Sequence, residues 1–84
     1  MKHVLYFSAS WCAPCKTFAP QFNAVLAERQ DVGFQKVNID DEFELARSWG
    51  VRNIPCLVIT EDGKELSRLA GANVNKTNLE KALS

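Results

Sequence analysis

The chain has 84 residues, 46% of them hydrophobic, and ten basic side chains balance ten acidic ones. That length supports one domain, residues 1–84, able to bury roughly 60–65% of the surface its unfolded chain exposes. Neither sign of charge forms a run, which argues against a nucleic acid or an anionic membrane surface as the main partner.

The opening stretch from Val4 to Phe7 is apolar but ends at Ser8 and Ser10, well short of a membrane span, and it lacks the pattern of a secretory signal. The chain is therefore read as cytoplasmic. Three cysteines do not suggest a secreted disulfide framework, and in a reducing compartment a closely spaced pair points to catalysis or metal binding.

His3 to Ser8, rich in β-branched and aromatic residues, reads as a buried strand. Ser10-Trp11-Cys12-Ala13-Pro14-Cys15 leads into a helical pattern in which Phe18, Phe22, Val25 and Leu26 form one apolar stripe. Pro14 suits the first turn, where no intrahelical donor is lost. Pro20 removes the bond to the Lys16 carbonyl and should kink the helix, which fades around Gln30. Phe34–Ile39 reads as a second strand, parallel to the first through a right-handed crossover. Asp41 and Glu44 look like a cap pair for a short helix through Trp49, closed by Gly50. Ile54-Pro55 opens a third strand, Cys56–Thr60, and the Asp62-Gly63 turn leads to a fourth near Glu65–Leu69. Asn75 caps a last helix whose Leu79, Ala82 and Leu83 face the sheet. The order β-α-β-α-β-β-α gives an α/β fold. Its four-stranded mixed sheet joins two parallel strands to an antiparallel hairpin, with three helices covering both faces.

Cys12 and Cys15 fall at the strand-to-helix junction. The first turn of a helix presents unpaired N–H groups and a partial positive charge, both of which stabilise a thiolate. Cys12, at the very start, is expected to titrate below an ordinary thiol. Cys15, one turn further in and within disulfide reach, should be more buried and less acidic. One thiol is thus placed to attack and the other to resolve. The bland alternatives are two inert buried thiols or half of a zinc site. His3, Cys12, Cys15 and Cys56 number four ligands, but His3 starts its strand at the end far from the pair, so no metal is assigned. Trp11 lies in a loop and is assigned to substrate contact; Trp49, Phe18 and Phe22 are assigned to the core. Asp40, Asp41, Glu42 and Glu44 read as a solvated helix start.

The run Phe7-Ser8-Ala9-Ser10-Trp11-Cys12-Ala13-Pro14-Cys15-Lys16 resembles the active-site segment of thioredoxins, which carry Trp-Cys-Gly-Pro-Cys-Lys there. Phe18-Ala19-Pro20, Lys36-Val37-Asn38-Ile39-Asp40, Trp49 through Pro55, Asp62-Gly63 and Gly71 continue the match in order along nearly the whole chain. The resemblance implies a minimal thioredoxin-like fold and a monomeric protein thiol–disulfide oxidoreductase, with no bound cofactor beyond a redox-active Cys12–Cys15 disulfide. Cys12 would attack a disulfide on a partner protein, and Cys15 would displace the reduced partner. Trp11, Ala13 and Pro14 would border the substrate. Ile54, with Pro55 in the cis form, would offer its backbone to an extended substrate segment. The implied partners are disulfide-containing proteins and a recycling system, either an NADPH-dependent thioredoxin reductase or glutathione. Two alternatives stay open: a glutaredoxin-like, glutathione-dependent reductase, and a thioredoxin-fold binding module with incidental redox activity.

The sequence departs from that family in three places. An opening strand and helix are absent, so Phe34–Ile39 is expected at an exposed sheet edge. Tyr6 stands where thioredoxins bury an aspartate beneath the second cysteine, while the lysine that partners it is kept as Lys36. The Tyr6 hydroxyl is expected to reach Lys36 or a water near Cys15. Cys56 follows Pro55, where thioredoxins commonly have threonine. With Pro55 cis it should lie near the pair, either as a third redox group or as a small apolar filler.

Overall fold

Val4, Leu5, Tyr6 and Phe7 are all buried, and an extended chain sends alternate side chains to opposite faces. Val4 and Tyr6 accordingly join one hydrophobic cluster, and Leu5 and Phe7 another. This double-sided strand is the centre of the architecture. The computed structural model describes residues 1–84. Its elements are β1 (Lys2–Ser8), α1 (Ala13–Glu28), β2 (Gly33–Asn38), α2 (Phe43–Ser48), β3 (Cys56–Glu61), β4 (Lys64–Ala70) and α3 (Lys76–Leu83). A short 3-10 turn, Gly71–Asn73, precedes α3 and was not anticipated from the sequence. The sheet order is β2-β1-β3-β4, with β1 parallel to β2 and the other two pairings antiparallel. This is the expected α/β arrangement, with β2 on the expected edge. No helix is long and apolar enough to cross a membrane.

On one face, Val4, Tyr6, Leu57 and Ile59 of the sheet pack against Phe18, Phe22 and Val25 of α1 and Leu79 and Leu83 of α3. The four aromatic rings of Tyr6, Phe18, Phe22 and Phe34 meet in edge-on and tilted pairs, 4.7 to 6.0 Å between centroids. Such geometries add about 0.5–1.5 kcal/mol per pair beyond burial itself. On the other face, Leu5, Phe7, Val37, Cys56 and Val58 pack against Ala46 of α2. Trp49, expected in the core, is only half-buried at the margin of this cluster.

Local chemistry explains most boundaries. Asp62 and Gly63 take φ of +54° and +82°, the two positive values that a type I′ hairpin turn requires. Gly50, at φ +66°, ends the α2 region in the left-handed conformation. Asn75 caps α3 by accepting from the Asn78 N–H at 2.8 Å. Helix α1 runs unbroken through Pro20 and stops at Glu28.

The expected cap pair of Asp41 and Glu44 does not form. Helix α2 begins later, at Phe43, with no side-chain cap. The cause is a tight turn at Asn38, whose carbonyl accepts from both the Asp41 and Glu42 N–H groups at 3.2 and 2.9 Å. The Asn38 side chain also accepts from the Asp40 N–H at 2.9 Å. Asp41 is thereby held in the turn and not at the helix start.

Candidate active site

The chain leaves β1 at Ser8 and enters α1 at Ala13, so Cys12 occupies the N-cap position. Its backbone is extended (φ −89°, ψ 105°), as N-cap residues usually are. Its Sγ accepts from the Cys15 N–H at 3.2 Å, taking the place of the usual capping oxygen. Cys12 and Cys15 are joined in a disulfide, with Cα atoms 5.3 Å apart.

The two cysteines are buried alike, at 4% and 3% exposure, against the expectation that Cys15 would be the more hidden. In the oxidised pair both sulfurs pack with Ala9 and lie under Ile39 and Ile54. What faces solvent is the rim. Trp11, Ala13 and Pro14 are exposed. The Trp11 ring is fixed by its Nε1–H, which donates to Asp40 Oδ2 at 3.0 Å. Asp40 was read as part of a solvated helix start; it instead anchors the tryptophan. The two lie 29 positions apart, and nothing in the local pattern links them.

The Ile54–Pro55 peptide bond is cis. Pro55 is fully buried and its carbonyl accepts from the Gly71 N–H at 3.0 Å, which ties this loop to the end of β4. Ile54 is half-buried beside the cysteines, and its own N–H and C=O make no backbone hydrogen bond within the chain.

Tyr6 lies beneath the pair, 3% exposed. Its hydroxyl donates to the Cys15 carbonyl oxygen at 3.0 Å, where Lys36 or a water had been expected. Burial pushes the phenol pKa above its ordinary value. Lys36 is the register partner of Tyr6 across the β1–β2 ladder, yet its side chain is exposed. Its Nζ donates to Asn23 Oδ1 at 3.1 Å and sits 5.8 Å from the Phe22 ring centroid. The cause is desolvation: the long stem lets the ammonium stay in water, whereas the phenol can be buried once its O–H has a partner. A cavity of about 190 Å³ bounded by Tyr6, Ser8, Cys15, Lys16 and Lys36 opens beside the second cysteine.

Cys56 is buried in the cluster of Phe7, Val58 and Ala46, on the α2 face of the sheet. It is not a member of the small cluster around the disulfide, although Ile39 and Ile54 pack against both. Burial raises its thiol pKa, opposed by the Arg68 charge and aided by that of Glu65. Of the two readings offered for it, the packing matches the apolar filler. No three His, Cys, Asp or Glu side chains converge on a point that could hold a metal ion.

Sequence reasoning missed one side of the site. A cavity of about 530 Å³ opens next to the disulfide, bounded by Trp11, Ile39 and Ile54 and by Phe43, Arg47 and Arg52. No local sequence signal marks it, since Phe43, 62% exposed, stands at the start of a helix of only six residues.

The whole chain, residues 1–84, matches the Thioredoxin family model. Thioredoxin H2-1 of Oryza sativa subsp. japonica is 42% identical over 81 residues, covering 96% of this chain and 57% of that protein. The chain spans only 57% to 59% of the plant H2 thioredoxins it matches. Among solved structures, the thioredoxin NaTrxh of Nicotiana alata superposes with a TM-score of 0.92 at 38% identity, covering 98% of this chain and 70% of that one. Fasciola hepatica thioredoxin gives 0.91, also at 38% identity, covering 98% and 77%. The fold, the cysteine pair at the head of α1 and the match along all 84 residues place this chain in the thioredoxin family.

Proposed function

We propose that this chain is a thiol–disulfide oxidoreductase that reduces disulfides in other proteins, with Cys12 as nucleophile and Cys15 as resolving thiol. One observation carries the reading: Cys12 Sγ caps α1 and accepts the Cys15 N–H at 3.2 Å. In the reduced chain, that donor and the positive end of a sixteen-residue helix favour a charged sulfur at Cys12.

The Cys12 thiolate attacks one sulfur of a partner disulfide. That S–S bond breaks, a mixed disulfide forms, and the first partner thiolate leaves and takes a proton from solvent. Cys15, deprotonated, then attacks Cys12 Sγ and expels the second partner thiolate. Two electrons pass from the dithiol to the partner, and the Cys12–Cys15 disulfide remains. The exchange uses the two sulfurs and no bound cofactor. The cycle closes when an external reductant, an NADPH-dependent thioredoxin reductase or glutathione, returns those electrons.

The exposed rim of Trp11, Ala13 and Pro14 and the unbonded backbone of Ile54 beside Pro55 support docking of an extended segment. Residues 1–84 act as one domain, since both hydrophobic faces are built on one sheet. A reducing compartment such as the cytoplasm suits a pair that must be returned to the dithiol form.

The experiment is reduction of insulin by dithiothreitol, followed as turbidity. The chain should shorten the lag before precipitation, and Cys12→Ser should remove the effect. A lag that the chain does not alter would leave a binding module as the better reading.

A further inference from the structure

The largest cavity, about 530 Å³, runs from the loop before α1 to α2 and the turn after it, and its lining is of two kinds. Trp11, Ile39, Phe43 and Ile54 make it apolar, and Arg47 and Arg52 are the only charged side chains in it. Ile39 and Ile54 also pack on Ala9, Cys12 and Cys15, so the cavity and the disulfide share a wall. Trp11 and Phe43, at 65% and 62% exposure, are the two most exposed aromatic rings of the chain and both face this space. Exposed apolar surface gathered in one concavity marks a binding surface more often than surface scattered singly.

The arginines give the occupant a sign. The three ion pairs of the chain join the N-terminus to Glu61, Arg29 to Asp31 and Arg68 to Glu65, so neither Arg47 nor Arg52 has a carboxylate partner. Arg29 and Arg68 each grip their acid through two nitrogens, the fork geometry for which guanidinium is suited. Asp40, Asp41, Glu42 and Glu44 lie near in sequence but outside the lining, and the Asp40 carboxylate is already engaged by Trp11.

We propose, resting on the disulfide-reductase reading, that this groove selects partner segments carrying an apolar side chain and a carboxylate a few residues from the disulfide cysteine. The apolar side chain seats between Trp11 and Phe43, and the carboxylate meets Arg47 and Arg52. Backbone contacts at Ile54 are indifferent to sequence, so the arginines supply the choice, through attraction of acidic segments and repulsion of basic ones.

The test uses short oxidised peptides, identical except for Glu, Gln or Lys a few residues from the cystine. The reduced chain should turn over the Glu peptide with a kcat/KM about threefold to tenfold above the Gln peptide, as two partly exposed ion pairs would give. The Lys peptide should fall below both, and added salt should narrow the spread. In the R47Q/R52Q variant the Glu-to-Gln ratio should fall to about one, since both guanidinium charges are gone. A ratio near one in the unaltered chain, or a preference that survives the double substitution, overturns the proposal. The same peptides with serine for cysteine, titrated onto the oxidised chain by NMR, separate it from the reductase reading. Several-fold tighter binding of the Glu peptide, with shifts at Trp11 and Phe43 but no turnover of any peptide, sinks the reductase reading and keeps the proposal. Turnover without Glu preference does the reverse, and neither turnover nor binding overturns both.

Discussion

The Tyr6 hydroxyl donates a 3.0 Å hydrogen bond to the carbonyl oxygen of Cys15, so a residue of the central strand holds the first turn of α1 from beneath. Where the family places a buried carboxylate, this chain has a neutral donor that packs against Phe18 and Phe22. The arrangement avoids burying an ionised group in a small core. It also leaves no carboxylate below the second thiol.

Replacing Tyr6 by Phe keeps the ring packing and removes the O–H. Loss of that bond should lower stability by about 0.5–1.5 kcal/mol at neutral pH. The two proteins should also differ in alkaline behaviour. Burial raises the folded phenol pKa above 10.0, so the folded state holds its proton where the unfolded state gives it up. The stabilisation is complete below the unfolded value and is lost as pH rises through the folded one. Denaturant melts from pH 8 to about 11, the span bracketing free tyrosine, should show a steeper decline for the unaltered chain than for Tyr6→Phe. Tyr6 is the only tyrosine, so phenolate absorbance reports its titration without deconvolution.

Tyr6→Asp should act in two opposed ways. A carboxylate set between Phe18 and Phe22 loses the ring packing and is poorly paired, which should lower stability by about 3 kcal/mol or more. Burial raises its folded pKa, so the charge part of the penalty is absent below about pH 4 and grows until pH passes the folded value, while the lost packing costs stability at every pH. The same carboxylate, beside the 190 Å³ cavity at Cys15, can accept the resolving thiol's proton. Single-turnover kinetics should show attack by Cys12 little changed and release of the mixed disulfide faster. A mutant that resolves no faster at any pH and melts like the parent would place Tyr6 outside this site.

Cys15→Ser should leave Cys12 able to attack but unable to be released, so mixed disulfides with partners accumulate on it. Cys12→Ser should trap little, because Cys15 lies inside the first turn of α1 and lacks the N-cap position that favours a charged sulfur. Affinity capture from a cell extract, followed by non-reducing gels, reads the difference. Stronger trapping on Cys15 than on Cys12 would reverse the assigned roles.

Cys56 should be silent. With the Cys12–Cys15 disulfide formed, an aromatic disulfide reagent should find no thiol near neutral pH until the chain is unfolded, and then one. Its raised pKa makes any native reaction slow at pH 7 and faster as pH climbs. Cys56→Ala should retain insulin reduction while costing about 1 kcal/mol of stability, the loss expected for one buried group of that size. Rapid modification of the folded, oxidised chain would return Cys56 to the redox site.

Elements whose cause is local were legible in the sequence. The Asp62-Gly63 turn, the Asn75 cap, the α1 stripe of Phe18, Phe22 and Val25, and the alternation of β1 each follow from a few neighbouring residues. The Cys12–Cys15 junction was legible for the same reason. What escaped were contacts between residues distant in sequence. Asp40 looked like a helix start because its bond to Trp11 spans the fold, and the Asn38 turn that displaced the α2 cap depends on backbone acceptors no side-chain pattern reveals. Cys56 was expected near the disulfide from its place after Pro55, but strand alternation turns its side chain into the cluster of Phe7, Val58 and Ala46. Arg47 and Phe43 drew no notice because a six-residue helix shows too little periodicity to tell a groove wall from a solvated face.

The alternation of β1 makes the sheet a partition between two sets of side chains. Tyr6 and Phe22, whose ring centroids are 4.7 Å apart, lie on one side; Phe7 lies on the other, among Val37, Cys56 and Val58. Substitutions at Tyr6 and Phe22 therefore remove part of the same contact, and their combined effect should fall short of the sum of the separate ones. Substitutions at Phe22 and Phe7 share no partner in either cluster, and their effects should add. A core of this size can thus be altered under the α2 face, around Cys56, while the packing that supports the Cys12–Cys15 helix from the other side is left energetically untouched.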